Sequence, residues 1–202
     1  MAVLVRFRTK KIAWIADIEK EFLNFELPEK DSNVIRYLWT NDPSDPAAEL
    51  KAYRWKKVPF GLTSSPFQLR ATISKHLKTY EKEKKSVVGC IESQLYVDDL
   101  LGGADNPEEA QEAVLTTKDM FAEAKLKTTK WTTNNEQLQE VLAKKGLTCD
   151  VTGLLAKSLV RKNSTVLGIH WDTKSDCFLF NSADIIKAAE EIGENPTKMN
   201  PL

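Results

Sequence analysis

The sequence predicts an α+β fold: a mainly antiparallel sheet with helices on one face. Three observations predict it. Short apolar runs recur at residues 13–18, 34–39 and 53–58, and runs of this length and composition read as strands. Two segments, Ser65-Pro66 and Asn106-Pro107-Glu108-Glu109, carry helix-start signals. Each has a polar cap followed by a proline whose missing N–H costs nothing in a first turn. Finally, Asp98-Asp99 and Thr173-Lys174-Ser175-Asp176 separate neighbouring apolar runs, and such tight punctuation gives hairpins rather than crossovers.

In chain order, residues 13–18 form a buried strand ending near Asp17. Residues 34–39 and 53–58 are strands on either side of a loop marked by Asn41-Asp42-Pro43-Ser44-Asp45-Pro46. From Ser65, the stripe Leu69, Ile73, Leu77 carries a helix to about Tyr80. An apolar run over 91–97 and a second at Leu100-Leu101, closed by Gly102-Gly103, make a hairpin with the two aspartates at its tip. The helix opened by Asn106 buries Ala110, Ala113, Val114, Phe121 and Ala124, with Glu108 and Glu109 at its positive end. A strand over 125–131, a helix over 136–142, a hairpin from 166–171 and 177–180, and a helix over 184–192 complete the chain. Residues 1–145 form the core domain and 146–202 a smaller appendage.

A chain of 202 residues with 42% hydrophobic content suits one compact domain with such an appendage. Basic and acidic residues number 29 each, so global charge says nothing in favour of nucleic acid. Local charge does: residues 51–85 hold ten basic side chains, opposed only by Glu81 and Glu83, which suits contact with a phosphate backbone. Cys90, Cys149 and Cys177 are odd in number, far apart and without metal-ligand spacing. Neither a zinc site nor a disulfide framework is supported, and a reducing intracellular compartment, cytoplasmic or nuclear, fits best. No stretch approaches the ~18–20 apolar residues of a membrane span, so no membrane partner is expected. Apolar residues precede the basic ones at the N-terminus, the wrong order for a secretory signal.

Tyr96-Val97-Asp98-Asp99 is the chemically richest stretch. Adjacent carboxylates at a tight turn present hard oxygen ligands together, and flanking strands hold them still. A plain solvated turn has the same composition. Asp17 adds a third carboxylate at the end of a buried strand, where it costs free energy unless something pairs with it. Three carboxylates from two strands of one sheet suit two divalent ions, which in phosphoryl transfer activate the attacking oxygen and stabilise the leaving one.

Three motifs in this order, Asp17-Ile18-Glu19-Lys20-Glu21-Phe22, Val58-Pro59-Phe60-Gly61-Leu62-Thr63-Ser64-Ser65-Pro66-Phe67 and Tyr96-Val97-Asp98-Asp99, resemble the palm of a reverse transcriptase. More narrowly they resemble the polymerase of BEL/Pao-type LTR retrotransposons. Val3-Leu4-Val5-Arg6-Phe7-Arg8, Tyr37-Leu38-Trp39 and Leu126-Lys127-Thr128-Thr129-Lys130-Trp131 resemble that group too. The resemblance implies an RNA-directed DNA polymerase using two Mg²⁺ ions, with Mn²⁺ as a substitute. Its partners would be an RNA or DNA template with a DNA primer, dNTPs, and the remainder of a polyprotein. An inactive palm that only folds or binds nucleic acid is the alternative.

By the same resemblance Asp17 and Asp98 bind both ions and Asp99 assists. Phe22 is similar to the aromatic gate that rejects a 2′-hydroxyl, and Ile18, Phe60 and Gly61 to the lining of the dNTP pocket. Lys130 resembles the lysine that protonates pyrophosphate, with Lys127 as its competitor. Tyr96 would lie beside the template–primer; the local charge of the basic residues Arg54, Lys56 and Lys57 suits the same contact. Gly168 and Trp171, in Leu167-Gly168-Ile169-His170-Trp171, resemble the hairpin that grips the primer. Glu21 stands where the family usually has a small or apolar residue; it either disturbs metal binding or faces solvent. Only sixteen residues precede Asp17, so the resemblance implies a palm with fingers and thumb largely absent.

Overall fold

The computed structural model describes residues 2–148 and 164–180. Two compact units divide the chain, Met1–Val151 and Thr152–Leu202. In the first, the elements run α1 (Ala2–Phe7), β1 (Ile12–Ile18), a 3₁₀ turn (Glu21–Asn24), α2 (Glu29–Ser32), β2 (Arg36–Trp39) and β3 (Lys51–Arg54). Then come α3 (Ser65–Leu77), a 3₁₀ turn (Lys78–Tyr80), α4 (Lys85–Gln94), β4 (Leu95–Tyr96), β5 (Asp99–Ala104), α5 (Pro107–Glu123), β6 (Thr128–Thr133) and α6 (Glu136–Lys144). The expected α+β class, antiparallel with helices on one face, is what the structure has.

The central sheet has the order β4-β5-β1-β6, antiparallel throughout. Successive side chains of a strand point to opposite faces, and this sorts β1. Ile12, Trp14, Ala16 and Ile18 enter the core, while Ile15 and Asp17 lie on the other face. Over the core face pack Leu69 and Ile73 of α3, Ile91 of α4, Val114 and Phe121 of α5, and Leu138 of α6. Each such side chain contributes about 2 kcal/mol on burial. At the centre Trp14 meets Trp131 with ring centroids 5.5 Å apart. Trp14 also covers Gly102, its cross-strand partner.

The helix starts follow local chemistry. Asn106 Oδ1 accepts from the Glu109 amide at 2.9 Å, and Asn135 Oδ1 caps α6 through the Leu138 amide at 2.9 Å, each cap contributing about 1 kcal/mol. Ser64, not Ser65, is the cap residue of α3, so Pro66 falls one place later than expected. The larger correction is α4. Residues 91–94, expected in a strand, close a helix, and only Leu95 and Tyr96 pair as β4. The strand expected over 53–58 ends at Arg54, and its partner begins at Arg36. The strand expected over 125–131 lies at Thr128–Thr133 instead.

In the second unit, β7 (Ser164–Val166), β8 (Ile169–Asp172) and β9 (Cys177–Leu179) form an antiparallel sheet. The late hairpin therefore has a third strand. Leu167 and Gly168 both have positive φ, 50° and 82°, the backbone of a tight two-residue hairpin turn. The helix expected over 184–192 lies outside the described residues. Among those described, no helix is long and apolar enough to cross a membrane.

Candidate active site

Three carboxylates meet at one end of the sheet. Asp17 of β1 stands directly opposite Asp99 of β5 in the antiparallel register, so both point to the face away from the helices. Asp98 sits in the turn, and its carbonyl accepts from the Ile18 amide at 3.2 Å. The turn itself is Val97-Asp98, because Tyr96 and Asp99 already pair. The tip thus lies one residue earlier than the Asp98-Asp99 pair suggested. Val97 has φ 53°, a left-handed conformation that a β-branched residue rarely adopts. It stores on the order of 1–3 kcal/mol in the hairpin that holds Asp98.

Electrostatics mark these acids as crowded. The Asp99 carboxyl is pushed up to about 6, by burial first and then by the charges of Asp98 and Asp17. Burial and Asp17 likewise push up Asp98. Glu21 is raised by burial, then by Asp98 and Asp17, so it is a fourth acid within reach of the same field and not a remote solvent-facing one. Like charges held this close favour a bound cation, and the hard oxygen donors fit a divalent ion. Among the described residues, no three His, Cys, Asp or Glu side chains form a group that could hold a metal ion as they stand.

A cation of the chain itself reaches this cluster. Lys130 Nζ forms an ion pair and hydrogen bond with Asp17 Oδ2. Regular alternation would not put it there. Asp17 faces Thr129, whereas Ile15 faces Thr132, so β6 carries one extra residue opposite β1. This bulge, with Lys130 at φ 54°, turns both Thr129 and Lys130 outward and returns Trp131 to the core. Lys127, the competing candidate, pairs with Glu19 at 2.7 Å instead.

On the adjoining side, Phe22 lies on the 3₁₀ turn after β1, is only 8% exposed and belongs to the core. Its ring meets Phe60 edge-on, with centroids 5.4 Å apart, and Phe60 is exposed. Gly61 follows at φ 87°, a conformation that suits glycine. Ser65 Oγ donates to the Pro59 carbonyl at 3.2 Å and ties this turn to α3. Arg70 of α3 reaches across to the hairpin. It donates to the Glu92 carbonyl and carboxylate, both at 2.6 Å, and to the Leu95 carbonyl at 3.2 Å.

The basic patch is less open than its sequence suggested. Arg54 pairs with Glu29 and Lys57 with Glu26, both at 3.1 Å. Arg70 and Lys84 also meet acids, Glu92 and Glu112. Four of the ten cations are thus engaged by carboxylates from outside their own segment, while Lys56 stays exposed. Tyr96 is exposed beside the turn. In the second unit Trp171 is buried, and its indole N–H donates to Asp176 Oδ1 at 3.1 Å; Gly168 forms the turn before it. Sequence reasoning missed Arg70 as a positioning residue. Its signal was one arginine on the first turns of a helix that otherwise shows an apolar stripe.

A helix-backed antiparallel sheet with carboxylates gathered on its open face is a polymerase-palm type of architecture. Residues 6–153 match the family model described as reverse transcriptase (RNA-dependent DNA polymerase), and the chain belongs to that family. Among solved structures it is similar to the crystal structure of a prototype foamy virus protease–reverse transcriptase mutant, at 20% identity and a TM-score of 0.48. That match covers 64% of this chain and 15% of the viral one, so the chain spans a small part of that protein's length. No curated protein matches it.

The raised Asp99 carboxyl has a consequence for stability. Its folded value, about 6, exceeds its ordinary 3.8, so between these the folded state binds more protons than the unfolded one. Its stabilising contribution is full below about pH 4 and is lost as pH rises through 6. Thermal unfolding in EDTA is therefore expected to show Asp99→Asn gaining on wild type as pH goes from 5 to 8. A difference between the two proteins that stays constant with pH would contradict the shift.

Proposed function

We propose that this chain is the palm of an RNA-directed DNA polymerase, which adds deoxynucleotides to a primer 3′-hydroxyl by two-metal nucleotidyl transfer. We place it in the polyprotein of a BEL/Pao-type LTR retrotransposon, acting inside the cell, on the motif residues quoted above. The observation that carries the reading is Asp17 opposite Asp99, beside the strained Val97-Asp98 turn, in a chain of the reverse transcriptase family. Two bound Mg²⁺ or Mn²⁺ ions would supply Lewis-acid polarisation of the attacking and leaving oxygens. Asp17 and Asp98 would hold them, with Asp99 in support.

The other residues bind, orient and exclude. Lys130 holds a proton at Nζ that suits a pyrophosphate leaving group; its contact with Asp17 supports it over Lys127. Phe22, backed by Phe60, would bar a ribose 2′-hydroxyl, Ile18 would line the pocket, and Gly61 would let backbone approach the triphosphate. Tyr96, Lys56, Arg54 and Lys57 would face the template–primer. Residues 1–145 would then be the palm core, and Gly168 and Trp171, within 146–202, would belong to a primer-gripping hairpin.

Primer extension on an RNA template with a DNA primer, Mg²⁺ and dNTPs tests the reading. Incorporation is expected, and Phe22→Val is expected to raise ribonucleotide use relative to deoxynucleotide by about tenfold or more. An unchanged ratio would remove the gate. No extension, even with fingers and thumb of a full-length relative supplied, would overturn the polymerase reading itself.

A further inference from the structure

The ribbon β2–β3 carries aromatic rings that the protein leaves uncovered. Every residue of both strands is exposed. In the antiparallel register Tyr37 faces Tyr53 and Trp39 faces Lys51, and directly opposed residues share a face. Trp55, whose amide bonds to the Ile35 carbonyl at 3.0 Å, extends the alternation onto that same face. The result is four aromatic rings, Tyr37, Trp39, Tyr53 and Trp55, 38–56% exposed. Tyr37 stacks on Tyr53 with centroids 5.7 Å apart and an interplanar angle of 22°, and lies 5.6 Å from Trp55. An exposed aromatic face this dense marks an interaction site.

Charge selects the occupant. Lys51 lies on the aromatic face opposite Trp39, Arg36 and Arg54 oppose each other on the other face of the same narrow ribbon, and the two strands contain no carboxylate. Lys56 follows immediately and is exposed. The ion pairs of Arg54 with Glu29 and of Lys57 with Glu26 are exposed, and such pairs are weak and readily exchanged for a phosphate; Arg54 also donates to Asn33 Oδ1 at 2.7 Å. Two of the acids in the connecting loop are turned onto their own backbone, Asp42 accepting from the Ser44 amide and Asp45 from the Ala47 amide. An aromatic face carrying one lysine and bordered by cations around the ribbon is the chemistry of single-strand recognition, where bases stack and the backbone follows the charge. Same-face side chains along a strand lie about 6.8 Å apart, roughly twice the 3.4 Å step of stacked bases, which leaves room for one base between Tyr37 and Trp39.

The ribbon is also rooted beside the candidate active site. The Leu27 amide bonds to the Lys56 carbonyl at 2.9 Å and the Val58 amide to the Phe25 carbonyl at 3.1 Å. These two segments lead directly to Phe22 and Phe60. We propose that the aromatic face of β2–β3 is a stacking platform for single-stranded nucleic acid, which on the polymerase reading is unpaired template outside the nucleotide pocket.

The test is a fluorescence titration of the 202-residue chain with a labelled oligothymidylate in EDTA and without nucleotide. Quenching of tryptophan and an affinity that falls with salt are expected. Tyr37→Leu with Trp39→Leu, which keeps apolar area but removes the rings, is expected to weaken binding by about tenfold or more, whereas Trp39→Phe stays within about twofold of wild type. Both positions are exposed, and an unchanged thermal midpoint shows that the variants fold. Equal affinity of the leucine variant and wild type would overturn the platform. So would equal binding of a blunt duplex, or a self-association by sedimentation that the leucine variant abolishes while oligothymidylate binding stays intact. Because binding is read without metal or dNTP, its failure leaves the polymerase reading standing, and failed primer extension leaves the platform standing.

Discussion

Asp98→Asn is expected to abolish metal-dependent primer extension, by about 10³-fold, while making the metal-free protein more stable. The first effect follows from the position of Asp98 in the two-residue turn, bonded to the Ile18 amide next to Asp17. On the proposed two-metal reading, loss of one anionic ligand would remove several kcal/mol of charge stabilisation, and each 1.36 kcal/mol is tenfold in rate. The second follows from crowding. Asp98 is raised by burial and by Asp17 and itself raises Asp99, so neutralising it relieves repulsion among these carboxylates in metal-free solution. The change in sign is the diagnostic. In EDTA the variant should unfold at a higher temperature than wild type. In Mn²⁺ wild type should gain stability by mass action, about 2.7 kcal/mol at a hundredfold excess over Kd, and the variant should not. Asparagine preserves shape, so a fall in stability under both conditions would mean that Asp98 serves the turn rather than a cation.

Gly102→Ala is expected to cost at least about 3 kcal/mol, as overpacking of a rigid core does, or to prevent folding. A Cβ at Gly102 would lie 1.9 Å from Trp14 Cζ2 and 2.3 Å from Cη2. The indole is 1% exposed and packed against Trp131, so it has nowhere to swing. For a chain of this size the midpoint should fall by about 6–12 °C. Gly89→Ala is the matched control, since no atom lies within 4 Å of its added Cβ. It sits inside α4 and should gain about 0.5–1 kcal/mol. Trp14→Leu combined with Gly102→Ala should cost less than the sum of the two single changes. Strict additivity would show that the two residues do not share the space.

What sequence made legible, and what it did not, divides along physical lines. Asp17, Asp98 and Asp99 stood out by residue type, and Asn106-Pro107 announced α5 because a cap is written in local chemistry. Helix α4 was hidden. Lys84 offers no capping side chain, Val87, Val88 and Ile91 are β-branched and Gly89 is a poor helix former, so packing of Val88 and Ile91 into the core is what favours the helix. The position of the turn was hidden too, since valine is a residue that does not invite positive φ. Lys130 and Lys127 could not be separated by alternation, because the bulge opposite Asp17 breaks the alternation. The charge count over 51–85 overstated the open patch, since the neutralising acids come from elsewhere in the chain.

Arg70 ties two halves of the site that sequence lists as separate motifs. Its guanidinium spans from α3, which begins just after the Phe60-Gly61 turn, to Glu92 and to Leu95, three residues before Asp98. A tilt of α3 that keeps these bonds intact must carry the base of the Asp98 hairpin with it. On the proposed polymerase reading, the nucleotide wall and the Asp98 hairpin would then share a single mechanical coordinate, and a nucleotide that seats α3 wrongly would also put Asp98 out of alignment.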